Sequence, residues 1–169
     1  MAIVKSIKGK KPSAGHACWF ADNASIIGDV KMGRSCTVWF NAVVRGDVNS
    51  ITIGNNTNVQ DGAIIHGTYE TAETKIGSNV SIGHNALVHG CTIEDNVLIG
   101  MGAIIMDNSV IGSGAIIGAG AIVLENTKIE SNSVYVGSPA KKIKDTGEKE
   151  IETIMRTAKN YIMYADWYK

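Results

Sequence analysis

The sequence predicts an all-β chain wound into about six stacked triangular coils, with one C-terminal α-helix packed on an outer face. Two observations carry that reading. Apolar residues recur at every sixth position through most of the chain, and small or β-branched residues recur four places after them. A period of six suits neither a helix of 3.6 residues per turn nor a simply alternating strand. It suits short strands that bend at a corner every six residues, with large apolar side chains on the flats and small ones in the corners. Three such faces close a coil of about 18 residues, and stacked coils bury one apolar column, their backbones laddered about 4.8 Å apart.

Residues 1–19 are the least regular. Lys8-Gly9-Lys10-Lys11-Pro12 reads as an exposed turn, and Trp19-Phe20 as the cover of the first coil. The repeat then occupies residues 20–140. Its leading positions are Phe20, Ile26, Met32, Val38 and Val44, then Ile53, Val59 and Ile65 after three inserted residues. A longer insertion, Thr68 to Lys75, precedes Ile76, Ile82 and Val88. One step of five leads to Ile93, Ile99, Ile105, Ile111, Ile117, Val123, Ile129 and Tyr135, which makes 19 hexapeptides. The corner positions include Ala24, Cys36, Ala42, Val48, Ala63, Ala86, Thr92, Ala103, Ala115 and Thr127. Val136-Gly137-Ser138-Pro139 leaves the coils. Ile151, Ile154, Met155, Ala158, Tyr161, Ile162 and Ala165 then mark an apolar helical stripe, so a helix is predicted over 147–167. Asp145 with Glu148 is the expected N-terminal capping pair, and Thr146 the competing cap.

Length and composition narrow the rest. At 169 residues, one domain spanning 1–169 is expected. Sixteen basic residues balance sixteen acidic ones, so nothing points to a nucleic-acid or membrane partner. The three cysteines are odd in number and form no CxxC, which suits free thiols in a reducing cytoplasm. No 18-residue apolar run occurs, and the start has no leader pattern, so a cytoplasmic protein is expected. Cys36 and Cys91 read as packing residues.

Three of the four histidines, His66, His84 and His89, fall within 24 residues; His16 stands apart and reads as a surface residue. Neutral imidazole is the commonest zinc-binding side chain, and three protein ligands plus a water make a catalytic zinc site. Ile65 and Val88 open the same face in successive coils, and His66 and His89 each follow by one place. The two imidazoles should therefore point outward from neighbouring rungs. His84 lies around a corner on the preceding face, where a neighbouring subunit could bring it to the same metal.

Asn41-Ala42-Val43-Val44-Arg45-Gly46-Asp47, Asn58-Val59-Gln60-Asp61-Gly62, His66 and Ile82-Gly83-His84-Asn85-Ala86-Leu87-Val88-His89-Gly90-Cys91 together resemble the γ-class carbonic anhydrases and their bacterial homologues, members of the hexapeptide-repeat proteins. The resemblance covers about residues 20–140. It implies a left-handed parallel β-helix and a homotrimer with a metal site at each subunit interface. His66 and His89 of one chain and His84 of the next would be the ligands. Zinc is the expected ion, with iron(II) and cobalt as alternatives. It further implies that Arg45 and Asp47 form an interface ion pair joined by Asp61, that Gln60 bonds the metal's water, and that Tyr161 lies near the site. Gly46 is expected to relieve a positive-φ turn between the two charges.

The implied activity is reversible hydration of carbon dioxide to bicarbonate, a zinc-dependent lyase reaction. Two departures weaken it. Fully active members carry a glutamate where Val48 stands, and a long acidic loop where only Thr68 to Lys75 is present. Glu70 or Glu73 would have to replace the missing proton shuttle, so proton export is expected to be slower, with weak or absent hydration as the alternative outcome for the isolated protein. Two other classes remain open at this point: a hexapeptide-repeat acyltransferase acting on an acyl-CoA, and a non-catalytic metal-binding trimer.

Overall fold

The computed structural model describes residues 1–168; Lys169, the last residue of the expected domain, lies outside the described residues. The six-residue period is explained by burial. All seventeen leading positions from Ile26 to Ile129 point inward, and none is more than 7% exposed. Each such isoleucine or valine contributes roughly 1.5–3 kcal/mol by leaving water. Most corner positions are buried as well. Three exceptions stand out: Val48 sits in a bulge, Cys91 takes the corner expected of Thr92 because the step there is one residue short, and Thr127 is only half-buried.

The result is a left-handed parallel β-helix of about seven turns, one more than the hexapeptide count suggests. Seven parallel strands, from Trp19–Phe20 to Ser133–Val136, stack on one face, and Lys141–Asp145 closes it by antiparallel pairing with Ser133–Val136. The other two faces join into one 12-stranded sheet, because the long strands Ser25–Met32 and Val43–Ile53 each turn a corner. The irregular N-terminus also ladders: Ile3–Lys5 and Ser13–Ala14 both pair in parallel with Ser25–Met32. Eight asparagines hold corners at positive φ, between 52° and 60°. Asn56, Asn79 and Asn96 pass a side-chain hydrogen bond from coil to coil at 3.0 Å.

The helix spans Glu148–Asp166, close to the predicted limits, but its start differs. Gly147 is the N-cap, and its N–H donates to the Glu150 carboxylate at 2.9 Å. Asp145 cannot cap, because it ends a strand and pairs with Lys142. Ile154, Ala158 and Ala165 are buried against the face carrying Thr37–Val38, Asn58–Val59 and Ser81–Ile82. Ile151 and Met155, at the rim of the predicted stripe, stay exposed. Trp19, Trp39, Phe40 and Tyr168 stack together between the coil edge and the end of the helix. None of the described helices is long and apolar enough to cross a membrane.

Candidate metal centre

His66 and His89 end the short strands Ile64–His66 and Leu87–His89, and they are direct register partners. Strand alternation turns Ile65 and Val88 inward and both imidazoles outward. Their ring centroids lie 5.2 Å apart, and His66 Nδ1 stands 3.2 Å from His89 Nε2.

Each imidazole is held from behind by a carboxylate. The pairing of Ser25–Met32 with Val43–Ile53 slips after Gly28/Gly46, so Asp47 to Ser50 bulge outward. Gly46 is needed for close approach, because a Cβ there would lie 2.5 Å from the Asp29 carbonyl oxygen. The positive φ expected at Gly46 falls instead on its partner Gly28, at +77°. The bulge brings Asp47 between Arg45 Nη1 at 2.5 Å and His66 Nε2 at 3.0 Å. Burial pushes the Asp47 carboxyl up, but the His66 and Arg45 hydrogen bonds outweigh it and hold the group below its ordinary value. On the next rungs His89 Nδ1 lies 2.5 Å from Asp107 Oδ1. Asp107 is also held low, burial again being outweighed by hydrogen bonds from His89 and Thr68.

Both carboxylates are therefore acceptors, and the ring nitrogens facing them carry the hydrogens. In neutral imidazoles that leaves two bare lone pairs, on His66 Nδ1 and His89 Nε2, aimed at each other across 3.2 Å. With both rings held in these tautomers, a cation between them, a shared proton or a metal, relieves that arrangement. Two nitrogens bound to one tetrahedral zinc at 2.0–2.1 Å stand roughly 3.3 Å apart, so the pair fits such an ion.

His84 follows the strand Ser81–Ile82 on the helix-covered face. Its Nδ1 lies 3.0 Å from Asp61 Oδ2 in a more exposed ion-pair contact, and a hydrogen on Nδ1 would leave Nε2 as the acceptor. The Tyr161 hydroxyl donates to that nitrogen at 3.2 Å. Burial, with Asp61 and Tyr164 nearby, pushes the Tyr161 phenol up to about 12, so it remains a donor at neutral pH. A recess of about 240 Å³ bounded by Trp39, Phe40, Asp61, Tyr161 and Tyr164 opens beside His84. A larger recess, about 690 Å³, lies between the helix and Asn56 and Asn79 and touches none of these residues. Among the described residues, no group of three His, Cys, Asp or Glu side chains within the single chain is placed to hold a metal ion.

Comparison with known proteins places the chain in a family. Residues 73–107 and 90–125 fit the family described as bacterial transferase hexapeptide (six repeats). The chain is 41% identical over 161 residues to gamma carbonic anhydrase 2, mitochondrial, of Arabidopsis thaliana, covering 92% of this chain and 58% of that protein. It is 39% identical over 167 residues to a carbonic anhydrase of Geobacillus kaustophilus, covering 99% of this chain and 91% of that protein. The crystal structure of a hexapeptide transferase family protein from Anaplasma phagocytophilum superposes with a TM-score of 0.94 at 35% identity, over 99% of this chain and 98% of that one. The chain belongs to the γ-carbonic anhydrase-like family of hexapeptide-repeat proteins. It spans little more than half the length of its plant relative, 58%.

Set beside the γ-carbonic anhydrase pattern, the remaining site residues fall as follows. Within the chain Asp61 reaches His84 rather than the Arg45–Asp47 pair. Gln60 is buried on the helix-covered face and donates its amide to Asn58 Oδ1 at 3.0 Å. Glu73 turns to Ser50 and Lys75, and Glu70 is exposed. Asp107 and Thr68 are the residues that sequence reading missed. The signal existed, because Asp107 lies 18 residues, one full coil, after His89.

Proposed function

We propose that the protein is a γ-type carbonic anhydrase-like metalloprotein that reversibly hydrates carbon dioxide to bicarbonate, at a three-histidine site built at each interface of a homotrimer. The observation that carries this reading is the pair of imidazole lone pairs facing each other, with a third imidazole beside an aspartate on the adjacent face. His66 and His89 of one copy and His84 of the next would hold the ion. Bound zinc supplies a Lewis acid that lowers the pKa of water to about 7. Asp47 and Asp61 orient their imidazoles and stabilise the ligand tautomers. Tyr161 and Gln60 stand on His84's side of the interface, where they can hold water or bicarbonate by hydrogen bonds. Arg45 and Asp47 rim that interface and fix its register.

The trimer is supported by the outer surface of the histidine face. Val43, Ile64, Leu87, Ile104 and Ile122 are register partners from coil to coil and form one outward apolar row. A contiguous apolar stripe beside unfinished ligands suits a second copy of the same chain. The three thiols are free, which accords with a cytoplasmic protein. Val48 and the short loop supply no carboxylate facing the histidines, so proton export should limit turnover.

The test is stopped-flow carbon dioxide hydration on protein loaded separately with zinc and, anaerobically, with iron(II). Hydration above the metal-free baseline, abolished by His66→Ala, is expected. A trimer that binds metal without turnover would favour the non-catalytic alternative, and a trimer that binds no metal would defeat the proposal.

A further inference from the structure

We infer that Asp107 is the positioning carboxylate of His89, as Asp47 is of His66, each reaching its imidazole from another segment of the helix. The inference rests on the metal-site reading above. Asp47 backs His66, and Asp107 backs His89. The second pair is built with more support than a chance contact needs. The Thr68 hydroxyl donates to Asp107 Oδ2, leaving Oδ1 for His89. Thr68 is itself anchored, because Asn49 Nδ2 donates to its carbonyl at 3.1 Å and its N–H reaches the Ala72 carbonyl at 3.0 Å. Gly90, next to His89, has φ +54°, and a Cβ there would collide with Asp107 Oδ1 and with Ala72. The missing side chain is the space through which the carboxylate reaches down one coil.

The consequence is a fixed tautomer. An unsupported imidazole in water prefers its hydrogen on Nε2, which here would aim N–H at His66 and block the ligand position. Asp107 holds the hydrogen on Nδ1 and keeps the Nε2 lone pair free. The insertion after His66 is too short to bring an acidic shuttle, and it serves the site in another way. Its first hydroxyl locks the carboxylate that locks the second ligand.

Histidine-selective ¹⁵N NMR tests this without relying on turnover, and only four histidines need assignment. In metal-free protein at mildly alkaline pH, His89 should be the Nδ1–H tautomer. Asp107→Ala should shift it toward Nε2–H and lower zinc affinity, measured against a competing chelator, by about 10–100-fold, with sedimentation and far-UV circular dichroism unchanged. Asp107→Asn keeps an oxygen acceptor, so it should retain the tautomer and lose less affinity. Unchanged tautomer and affinity in Asp107→Ala would overturn the inference. Should that variant fail to fold, Thr68→Val decides: a partial shift of the His89 tautomer is expected, and none would overturn it. Protein that binds no zinc would defeat the metal reading alone, since the tautomer of His89 would still report on Asp107.

Discussion

The histidine face and the face that follows it along each coil share one interior and differ in their outward rows. On the first the row is Val43, Ile64, Leu87, Ile104 and Ile122. On the second it is Lys31, Thr52, Lys75, Thr92, Val110 and Lys128. Their inward neighbours are apolar and buried on both faces, Val44, Ile65, Val88, Ile105 and Val123 behind the first row and Met32, Ile53, Ile76, Ile93, Ile111 and Ile129 behind the second. Folding therefore constrains only the inward positions. The outward row is free to choose between water and another chain, and His66, His89, Arg45 and Asp47 stand on the face whose outward row is apolar.

Charging the two rows in turn should break the comparison most sharply. In the proposed trimer Ile104→Glu would bury an unpaired carboxylate at each subunit contact, at a cost of about 3–5 kcal/mol apiece, and sedimentation should find dissociated subunits. Val110→Glu, at the matching position of the other face, should change stability by no more than about 0.5 kcal/mol and leave assembly intact. Equal behaviour of the two variants would remove the distinction between the faces.

The inward positions should show the opposite symmetry. Ile105 and Ile111 are both fully buried, one behind each row. Ile105→Ala and Ile111→Ala should each cost about 2–5 kcal/mol by urea unfolding, with no bias toward either face.

Acid sharpens the contrast on a smaller scale. Asp47 and Asp107 are held below their ordinary range, so they stabilise the fold above the unfolded carboxylate pKa of about 4, and that contribution is lost as pH falls through their folded values. Glu73, beside the lysine face, is also held low, by Lys75 and Ser50, but its side chain is 44% exposed and its contribution is screened. Metal-free Asp47→Asn/Asp107→Asn protein should therefore lose less stability between neutral and acid pH than the parent, whereas Glu73→Gln should follow the parent curve. Urea midpoints across that range decide it.

The same division explains what could be read from the sequence. The interior must repeat, so Ile26 to Ile129 announced the coils, and the register of His66 against His89 followed by counting residues. The first turn was harder to see, because Ile3–Lys5 and Ser13–Ala14 ladder onto Ser25–Met32 with exposed side chains and carry no apolar period. Outward polar partners leave no period either. Asp107 is one coil beyond His89, but nothing in its hexapeptide marks it. The role of Gly46 depended on a bulge whose register slip is set by two strands together. The asparagine corners leave a mark in the sequence, because asparagine tolerates positive φ better than most side chains.

The central claim is that the metal site is shared between copies, and subunit complementation tests it most directly. His66→Ala and His84→Ala proteins should each bind almost no zinc. Unfolded together in equal amounts and co-refolded, they should recover about one quarter of the wild-type zinc, because in a closed ring of three randomly mixed subunits that fraction of interfaces joins an intact His66/His89 pair to an intact His84. No recovery despite demonstrated subunit mixing would contradict the account.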